Sequence, residues 1–226
     1  MHPGSDDSRL AALTATFKVL ARWAPQARHD VVGACSPISL DLSLLAVKSK
    51  RAPLTADEVE SFVERGKKNL KNTVEEIDTV MLLQKQDRRR EIGVGEMFEK
   101  MARSTRTLFA GVDWVPPVGT DELGNDSEYD LTIAIWAVLM ALLDRHGAHS
   151  QLRLIARREL DELVMDFSVS PATGEVFGAA DAGTAGGHPI SLDEVHHLAN
   201  HLGFTFTRRE RGIELRREHA GGRAAA

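Results

Sequence analysis

The sequence predicts an α+β protein in which a long helical hairpin precedes a small α/β sandwich. Two observations support this prediction. Apolar residues recur at helical spacing through most of residues 10–90. Beyond that point the pattern changes to single amphipathic helices and shorter β-rich runs, which is typical of helices packed on a small sheet. We therefore expect a disordered N-terminus at 1–9, a hairpin domain at 10–90, an α/β domain at 91–217 and a flexible tail at 218–226.

The composition of the chain restricts its function class. It has 226 residues, one cysteine, a formal net charge of -5 and a pI near 6.0. This balance gives no general attraction to nucleic acid or anionic lipid, and Cys35 alone makes neither an internal disulfide nor a zinc site. The N-terminus lacks the apolar core of a signal peptide, and the longest apolar run, Leu131 to Leu143, is too short to span a bilayer. We expect a cytoplasmic protein that binds neither membrane nor nucleic acid.

The first predicted helix carries its apolar stripe in two stretches. Pro25 lies between them and has no backbone N–H, so we expect a kink or a new helix start there. The stripe recurs every three or four residues, at Leu10, Leu13, Phe17 and Leu20 and then at Val31, Cys35, Ile38, Leu42 and Leu45.

The second predicted helix begins after Pro53. Thr55 followed by Glu58 is a capping box, and a heptad-like apolar stripe runs from Val59 to Gln84. Two long antiparallel helices joined by a short loop cannot cover both of their stripes alone. We therefore expect a dimeric four-helix bundle through about residues 10–88. The alternative is a hairpin that packs on its own C-terminal domain.

The C-terminal part of the chain predicts helices on one face of a small mixed sheet. The patterns first indicate an amphipathic helix at 94–109, a loop or edge strand at 114–127 and a core helix at 128–146 capped by Asp126 or Ser127. Two β-rich runs follow at 151–158 and 163–170, and then a flexible Gly/Ala-rich stretch at 171–189. The last predicted elements are a helix capped by Ser191 with Glu194 and a hairpin that turns at Arg211-Gly212.

The chain has a helical hairpin with His29-Asp30 in its first helix, and the elements above follow in that order. This arrangement resembles the core of two-component sensor histidine kinases over about residues 10–217. The stretch "VGEMFEKMARSTRTLFAGVDWV" is similar to the first helix and strand of that family's ATP-binding domain, "IWAVLMALLDRH" to its nucleotide-site helix, and "ISLDEVHHLANHLGFTFTRRERGIELR" to its closing helix and hairpin. The resemblance implies that His29 is the phosphoacceptor and Asp30 its neighbouring acid. The family's proline follows the histidine by five residues, whereas Pro37 follows it by eight here.

The chemistry of His29 and Asp30 agrees with that role. An imidazole that accepts a phosphoryl group must be neutral, exposed on a helix face and able to lose a proton as its nitrogen attacks phosphorus. A carboxylate on the next residue can orient the ring or accept that proton. The alternative interpretation is a chance His-Asp pair on a solvated helix face.

The resemblance also implies an ATP site, whose motifs the sequence lacks. The family uses an Asn on the core helix, an Asp-x-Gly-x-Gly turn and a second glycine-rich loop, and the corresponding stretches here read "LDRH" at 143–146, "SPATGEV" at 170–176 and "GTAGGHPIS" at 183–191. We therefore expect no ATP and no metal cofactor, with Mg²⁺ entering only through a partner receiver domain. Family members that act as phosphatases place Thr or Asn four residues after the histidine, and that position is Gly33 here.

Other polar clusters predict less. His197 and His201 lie one turn apart on one predicted helix, with Glu194 nearby, which is compatible with zinc. The sequence offers no clear third ligand, and a solvated helix face explains these residues better. The basic runs "ERGKKNLKN" and "KQDRRR" are expected to be solvated, with contact to an acidic partner as the alternative.

Three functions from different classes follow. The first is a histidine phosphotransferase of a two-component phosphorelay, a homodimer that passes phosphoryl groups between His29 and the aspartates of response-regulator receiver domains without ATP. This resembles kinase-derived phosphotransferases that keep the bundle and have lost ATP binding, and a sensor kinase is a further candidate partner. The second is a non-catalytic scaffold that binds a regulator or a kinase. The third is a divergent ATP-dependent histidine kinase.

Overall fold

The computed structural model describes residues 3–86, 88–104, 112–115, 124–146, 151–170 and 189–218. Its helices are α1 (Pro3–Arg51), α2 (Ala56–Lys85), α3 (Val94–Ser104), α4 (Glu128–His146) and α5 (Leu192–His201). Its strands are β1 (Glu91–Gly93), β2 (Val112–Val115), β3 (Asn125–Ser127), β4 (Gln151–Glu159), β5 (Glu162–Ser170), β6 (Thr205–Arg209) and β7 (Gly212–Glu218). The predicted α+β class, a long helical hairpin before a small α/β sandwich, is confirmed.

Helix α1 is continuous through two prolines. Pro25 and Pro37 both lie inside its 49 residues. Of the two outcomes predicted at Pro25, a kink or a new helix start, the new helix start is therefore wrong. Trp23 and Ala27, on either side of Pro25, are buried (8% and 6% exposed). Packing around this turn therefore outweighs the helix-breaking tendency of the proline, as tertiary contacts commonly do.

The beginning of α1 packs on the α/β part of the chain. The helix starts at Pro3, where the sequence predicts disorder, and Ala12 and Val19 are fully buried. By its internal contacts the chain divides into a hairpin unit, Trp23–Gln86, and an α/β unit that contains the rest, including the first turns of α1. The hairpin unit thus begins later than the predicted residue 10, because those first turns bury their apolar face in the α/β unit.

In the hairpin unit, α1 and α2 run antiparallel. Helix α2 begins with the predicted capping box of Thr55 and Glu58. Near the loop, Nζ of Lys48 lies 2.9 Å from Oε1 of Glu58. Further along, Thr73 donates a hydrogen bond from Oγ1 to the carbonyl oxygen of Ala34 (3.1 Å). These contacts fix the register of the two helices.

Apolar side chains stay exposed along both helices of the hairpin unit. On α2 they lie three, four or seven residues apart, as in the predicted heptad-like stripe. Among the described residues, α1 is also the one helix that is long and apolar enough to cross a membrane. The apolar segment that meets this test is not buried inside the protein. The exposed large apolar residues are Val32, Leu40, Leu42, Leu44 and Val47 on α1 and Val59, Val63, Leu70, Val74, Ile77 and Met81 on α2.

The α/β unit is built on a five-stranded mixed sheet. Its strand order is β2-β4-β5-β7-β6, with β2 parallel to β4 and the other neighbours antiparallel. A separate two-stranded sheet pairs β1 with β3. Helix α4 is buried along most of its length. The Oγ atom of Ser127 accepts a hydrogen bond from the backbone N–H of Asp130 (3.3 Å), so Ser127 and not Asp126 caps this helix.

The five-stranded sheet has one apolar and one charged face. Leu154, Met165, Phe167 and Leu215 are buried on the apolar face, in neighbouring register positions. The opposite face carries a connected set of ion pairs, which we call the charged lattice. Its members are Arg157, Glu159, Glu162, Asp166, Arg209, Glu214 and Arg216.

The remaining local predictions divide into confirmed and undescribed ones. The capping box of Ser191 and Glu194 begins α5 as predicted, and the two β-rich runs are β4 and β5. The final predicted hairpin is β6 and β7, with β7 beginning at Gly212. The Gly/Ala-rich residues up to 188, the tail from 219 and the predicted helical residues 105–109 lie outside the described residues.

Candidate functional site

His29 is exposed on helix α1, inside the hairpin unit. The helix continues for more than five turns on its C-terminal side, so the imidazole stands on regular secondary structure. Asp30 follows in the same helix, and its side chain lies outside the described part of the structure. The geometry therefore meets the first requirement for a phosphoacceptor, a ring at a helix surface, and places Asp30 beside it as the next residue of the chain.

The register of the hairpin places His29 opposite the C-terminal part of α2. The bond from Thr73 to Ala34 lies just beyond it along α1, and Ile77 and Met81 on α2 are 43% and 40% exposed.

One turn after His29 the helix surface is bare. Gly33 is exposed, and a Cβ atom added there would meet nothing within 4 Å. Pro37 lies one turn further along the same helix and is also exposed to solvent. Gly33 has no side chain that could hold a water near His29, so the Thr or Asn that the resemblance implies for a phosphatase is missing from this position.

A cleft of about 420 Å³ in the α/β unit is lined by the end of α4 and the start of α5. Asp144 lies in it, within the stretch where the resemblance implies an Asn for magnesium. Its Oδ2 atom is 2.6 Å from Nη1 of Arg22 and accepts the backbone N–H of Ile190 at 2.9 Å. The side chain of Asp144 is only 10% exposed. Arg22 and the Ile190 N–H already engage this carboxylate, so a metal ion there would compete with the positive charge of Arg22. Asp144 therefore fits the role of a magnesium ligand poorly.

A second ion pair joins α1 to the start of α5. Nζ of Lys18 lies 2.6 Å from Oε1 of Glu194 and donates to the carbonyl oxygen of Pro189 at 2.9 Å. Burial raises the pKa of the Glu194 carboxyl, but hydrogen bonds from Lys18 and from the backbone N–H of Ser191 outweigh it and hold that pKa below its ordinary value. The first turns of α1 are therefore held at both helices that line the cleft.

Of the two histidines considered for zinc, His197 makes other contacts and His201 is exposed to solvent. Nδ1 of His197 lies 3.0 Å from Oγ of Ser8. The His197 ring stacks with that of His196, which also stacks with Phe206. Within the described ranges, no three or more His, Cys, Asp or Glu side chains come together in a way that could hold a metal ion.

The basic run after the hairpin meets acidic groups of the same chain. Nε of Arg90 lies 2.7 Å from Oε2 of Glu128, and Nε of Arg88 lies 3.2 Å from Oδ1 of Asp130. Glu128 also pairs with Lys100. The side chains of Glu128 and Asp130 are only 1% and 6% exposed. The prediction that this run is simply solvated is therefore wrong for Arg88 and Arg90, which compensate buried carboxylates in the first turn of α4.

Sequence reasoning missed Lys18, Arg22 and the two linker arginines. The sequence around a lysine or arginine looks the same whether its side chain is solvated or pairs with a carboxylate far along the chain. The one available signal was the run of small apolar residues Ala12, Ala15 and Val19, which is spaced as a second buried face of α1.

The comparisons with known proteins concern the fold. No protein-family model and no curated protein sequence matches the chain. It is similar to solved structures of Acinetobacter baumannii histidine kinase AdeS (14% identity, TM-score 0.35, 81% of this chain and 95% of that chain covered) and of a histidine kinase from Burkholderia phymatum (16% identity, TM-score 0.37, 91% and 98% covered). A third similar structure is that of a bacterial phosphotransferase (14% identity, TM-score 0.35, 88% and 95% covered). At such low identities and TM-scores these similarities carry no argument about what this chain does.

Proposed function

We propose that this protein is a cytoplasmic histidine phosphotransferase of a two-component phosphorelay. It accepts a phosphoryl group on His29 from the aspartate of one response-regulator receiver domain and passes it to another without ATP. The observation that carries this proposal is the exposure of His29 on a continuous helix of the hairpin unit. A protein phosphoacceptor has to present its ring to a partner domain, and this position does so.

The proposed step is a displacement at phosphorus. The unprotonated ring nitrogen of His29 attacks the aspartyl phosphate, a P–N bond forms, the acyl P–O bond breaks, and the receiver's aspartate leaves as a carboxylate. The proton on the other ring nitrogen passes to Asp30 or to water. A Mg²⁺ ion held by the receiver would neutralise charge on the transferred group. The helix of this chain holds the ring in line, and such positioning is most of what phosphoryl transfer needs from a protein.

A homodimer accounts for the exposed apolar stripes of the hairpin unit. Val63, Leu70 and Ile77 are each more than two-fifths exposed, and a second copy would bury them in a four-helix bundle. Asp41, between the exposed Leu40 and Leu42 of α1, pairs with Arg65 on α2 (3.3 Å). An ion pair between adjacent helices at this point favours a bundle in water over a membrane span, where such a pair is costly.

The absence of ATP chemistry is part of the proposal. The carboxylate of Asp144 is paired with Arg22 and bonded to the Ile190 N–H, and the sequence lacks the three nucleotide motifs. The phosphoryl group therefore comes from a phosphorylated receiver, which carries its own Mg²⁺.

A transfer assay tests the proposal. Receiver domains of the source organism are phosphorylated with labelled acetyl phosphate, freed of the donor and mixed with the wild-type protein, His29→Ala or His201→Ala. We expect one receiver to label the wild type and to leave His29→Ala unlabelled. His201→Ala is the control, because His201 is also an exposed histidine but lies on α5, and this variant should be labelled like the wild type. The label should resist alkali and be lost in acid, as a phosphohistidine is.

Other outcomes of this assay contradict the proposal. Label on His29→Ala would move the acceptor to another residue. A receiver that binds the wild type and His29→Ala equally and labels neither would favour the scaffold function. Label transferred from ATP alone would establish a kinase.

A further inference from the structure

The first turns of α1 have two apolar faces, and the α/β unit covers only one of them. Ala12 and Val19 are fully buried in that unit. On the other side of the helix Leu10, Leu13 and Phe17 are 65%, 50% and 68% exposed. Three large apolar side chains in one row are more than the single exposed residues that are normal on a protein surface.

The exposed row has the spacing of a coiled-coil seam. Leu10, Leu13, Phe17 and Leu20 are separated by three, four and three residues, so they occupy the a and d positions of consecutive heptads. We call these four residues the α1 seam. In the same frame the buried Val19 is a c position, which lies across the helix from the seam. The helix is thus patterned to bury one face in its own α/β unit and the other against a further helix.

The periodicity of α1 relates the seam to the exposed apolar residues of the hairpin. Val32 follows Leu10 by 22 residues, about six turns, and Leu42 follows Phe17 by 25 residues, about seven turns. Val32 and Leu42 are 58% and 62% exposed. A second copy that covers this side of α1 in the hairpin is therefore the occupant that the periodicity favours for the seam.

The size of the seam also indicates an extension of a larger interface. Its exposed side chains offer on the order of 300 Å² of apolar surface, which is the size at which a patch on a monomer commonly has a function. A stable dimer needs roughly 800 Å² from each partner. The seam is too small to hold two copies together alone, and it adds to the area that the hairpin stripes provide.

Charge argues against a lipid surface as the occupant. Asp6 and Asp7 precede the seam, and both are exposed, as is Arg9. Lys18 and Arg22 are held in ion pairs with carboxylates of the α/β unit. Helices that lie on membranes usually carry several free basic residues beside their apolar face, and this one does not.

We propose that the α1 seam forms a parallel two-stranded coiled coil with the seam of a second copy. The pair is parallel because an antiparallel one would carry the two hairpins to opposite ends and leave their stripes uncovered. His29 follows Phe17 by 12 residues, three and a third turns, so it lies about a third of a turn away from the seam and stays accessible. The inference rests on the homodimer of the proposed function and is independent of phosphotransfer.

Oxidative cross-linking tests the pairing and its direction. In a Cys35→Ser background, which removes the one native thiol, Leu13→Cys places a thiol at a d position. Such a thiol faces its own counterpart in a parallel pair and not in an antiparallel one. We expect diamide to convert this variant to a disulfide-linked dimer. Leu160→Cys in the same background is the matched control, because Leu160 is 94% exposed and lies outside the seam, and it should stay monomeric on a denaturing gel.

A charge in the seam measures its contribution to the dimer. Sedimentation equilibrium should show that Phe17→Asp raises the dissociation constant of the dimer at least tenfold, because one buried aromatic ring is lost from each copy. Leu160→Asp should stay within about twofold of the wild type. Phe17 is 68% exposed in the single chain, so circular dichroism should show the same helix content for Phe17→Asp and the wild type.

The outcomes separate the seam from the hairpin dimer. If the wild type is a dimer that Leu70→Asp dissociates, while Leu13→Cys and Phe17→Asp behave as their controls do, the seam is wrong and the hairpin dimer stands. A monomeric wild type overturns both. Sedimentation of the wild type, but not of Phe17→Asp, with phosphatidylglycerol vesicles would assign the row to lipid and overturn the coiled coil. An absence of label on His29 would remove the proposed phosphotransfer and leave the coiled coil unaffected.

Discussion

The Nη1 atom of Arg22 lies 2.6 Å from Oδ2 of Asp144, although 122 residues separate them in the chain. The contact belongs to the α/β unit, because the first turns of α1 are part of that unit. Together with the pair of Lys18 and Glu194, it gives the start of α1 two polar attachments one turn apart, beside the helix face on which Ala12 and Val19 are buried.

Arg22→Ala should therefore destabilise the α/β unit. Asp144 would keep the Ile190 N–H but lose its charged partner while only 10% exposed, which we expect to cost about 1–3 kcal/mol. Urea unfolding followed by circular dichroism measures this. The control is Lys67→Ala, because the pair of Lys67 and Glu64 is 69% and 65% exposed and should contribute less than about 0.5 kcal/mol. Equal effects of the two substitutions would show that the Arg22 contact is not formed in solution.

The exposed stripe of α2 predicts the behaviour of charge substitutions. Light scattering should give a dimer for the wild type at micromolar concentration. Leu70→Asp or Ile77→Asp should give a monomer or an unfolded chain, because an unpaired charge inside a bundle costs several kcal/mol. Leu160→Asp is the control, since Leu160 is 94% exposed and lies outside the hairpin unit. A monomeric wild type, or dimeric Leu70→Asp and Ile77→Asp, would contradict the dimer.

Nucleotide binding should be undetectable. We expect isothermal titration calorimetry with millimolar MgATP to show no heat of binding, and incubation with labelled ATP to leave His29 unlabelled, because Asp144 is neutralised by Arg22. The same titration of a bona fide histidine kinase serves as a positive control. Saturable binding would show that residues other than Asp144 supply a nucleotide site.

Glu214 predicts a pH dependence of stability. A hydrogen bond from Arg216 lowers the pKa of the Glu214 carboxyl, desolvation opposes this, and the charges of Arg209 and Arg157 lower it further. A carboxyl whose pKa is lower in the folded state stabilises the fold fully above its unfolded pKa of about 4.3. That contribution is lost as the pH falls through the folded value.

The measurement compares the wild type with Glu214→Gln in urea at several pH values. At pH 7 the substitution should lower the free energy of unfolding by about 1–3 kcal/mol, because buried charge-assisted hydrogen bonds are lost. The difference should shrink steadily as the pH is lowered below about 4. A difference that is independent of pH would mean that the carboxylate charge does not contribute.

The sequence predicted those parts of the fold that depend on nearby residues. The capping boxes at Thr55 and Ser191 are local exchanges between a side chain and a backbone three residues away, and the long β4–β5 hairpin follows from two β-rich runs around one turn. The continuity of α1 through Pro25 could not be predicted, because it depends on burial of Trp23 and Ala27 by other elements.

The residues of the candidate site stay a prediction, and the surroundings that the structure gives to the polar residues could not be predicted from the sequence. His29 was identified because its neighbour and the order of elements carry a recognisable pattern, and its exposure agrees with the role. The partners of Asp144 and of Arg90 could not be found from sequence, since the residues that pair with them lie far along the chain. A formal charge count gives no indication of which cations are neutralised inside the molecule.

Strand β5 is enclosed on every side within the α/β unit. It pairs with β4 over its whole length and with β7 over most of it, the apolar face beside it carries Met165 and Phe167, and the charged lattice covers its other face. None of its central amides can reach water by fraying of an edge. Their hydrogens therefore exchange with deuterium only when the whole unit opens, and the exchange rates of the β5 amides report the global stability of the α/β unit. Strand β6 lies at the edge of the sheet, so the exchange rates of its amides report local opening.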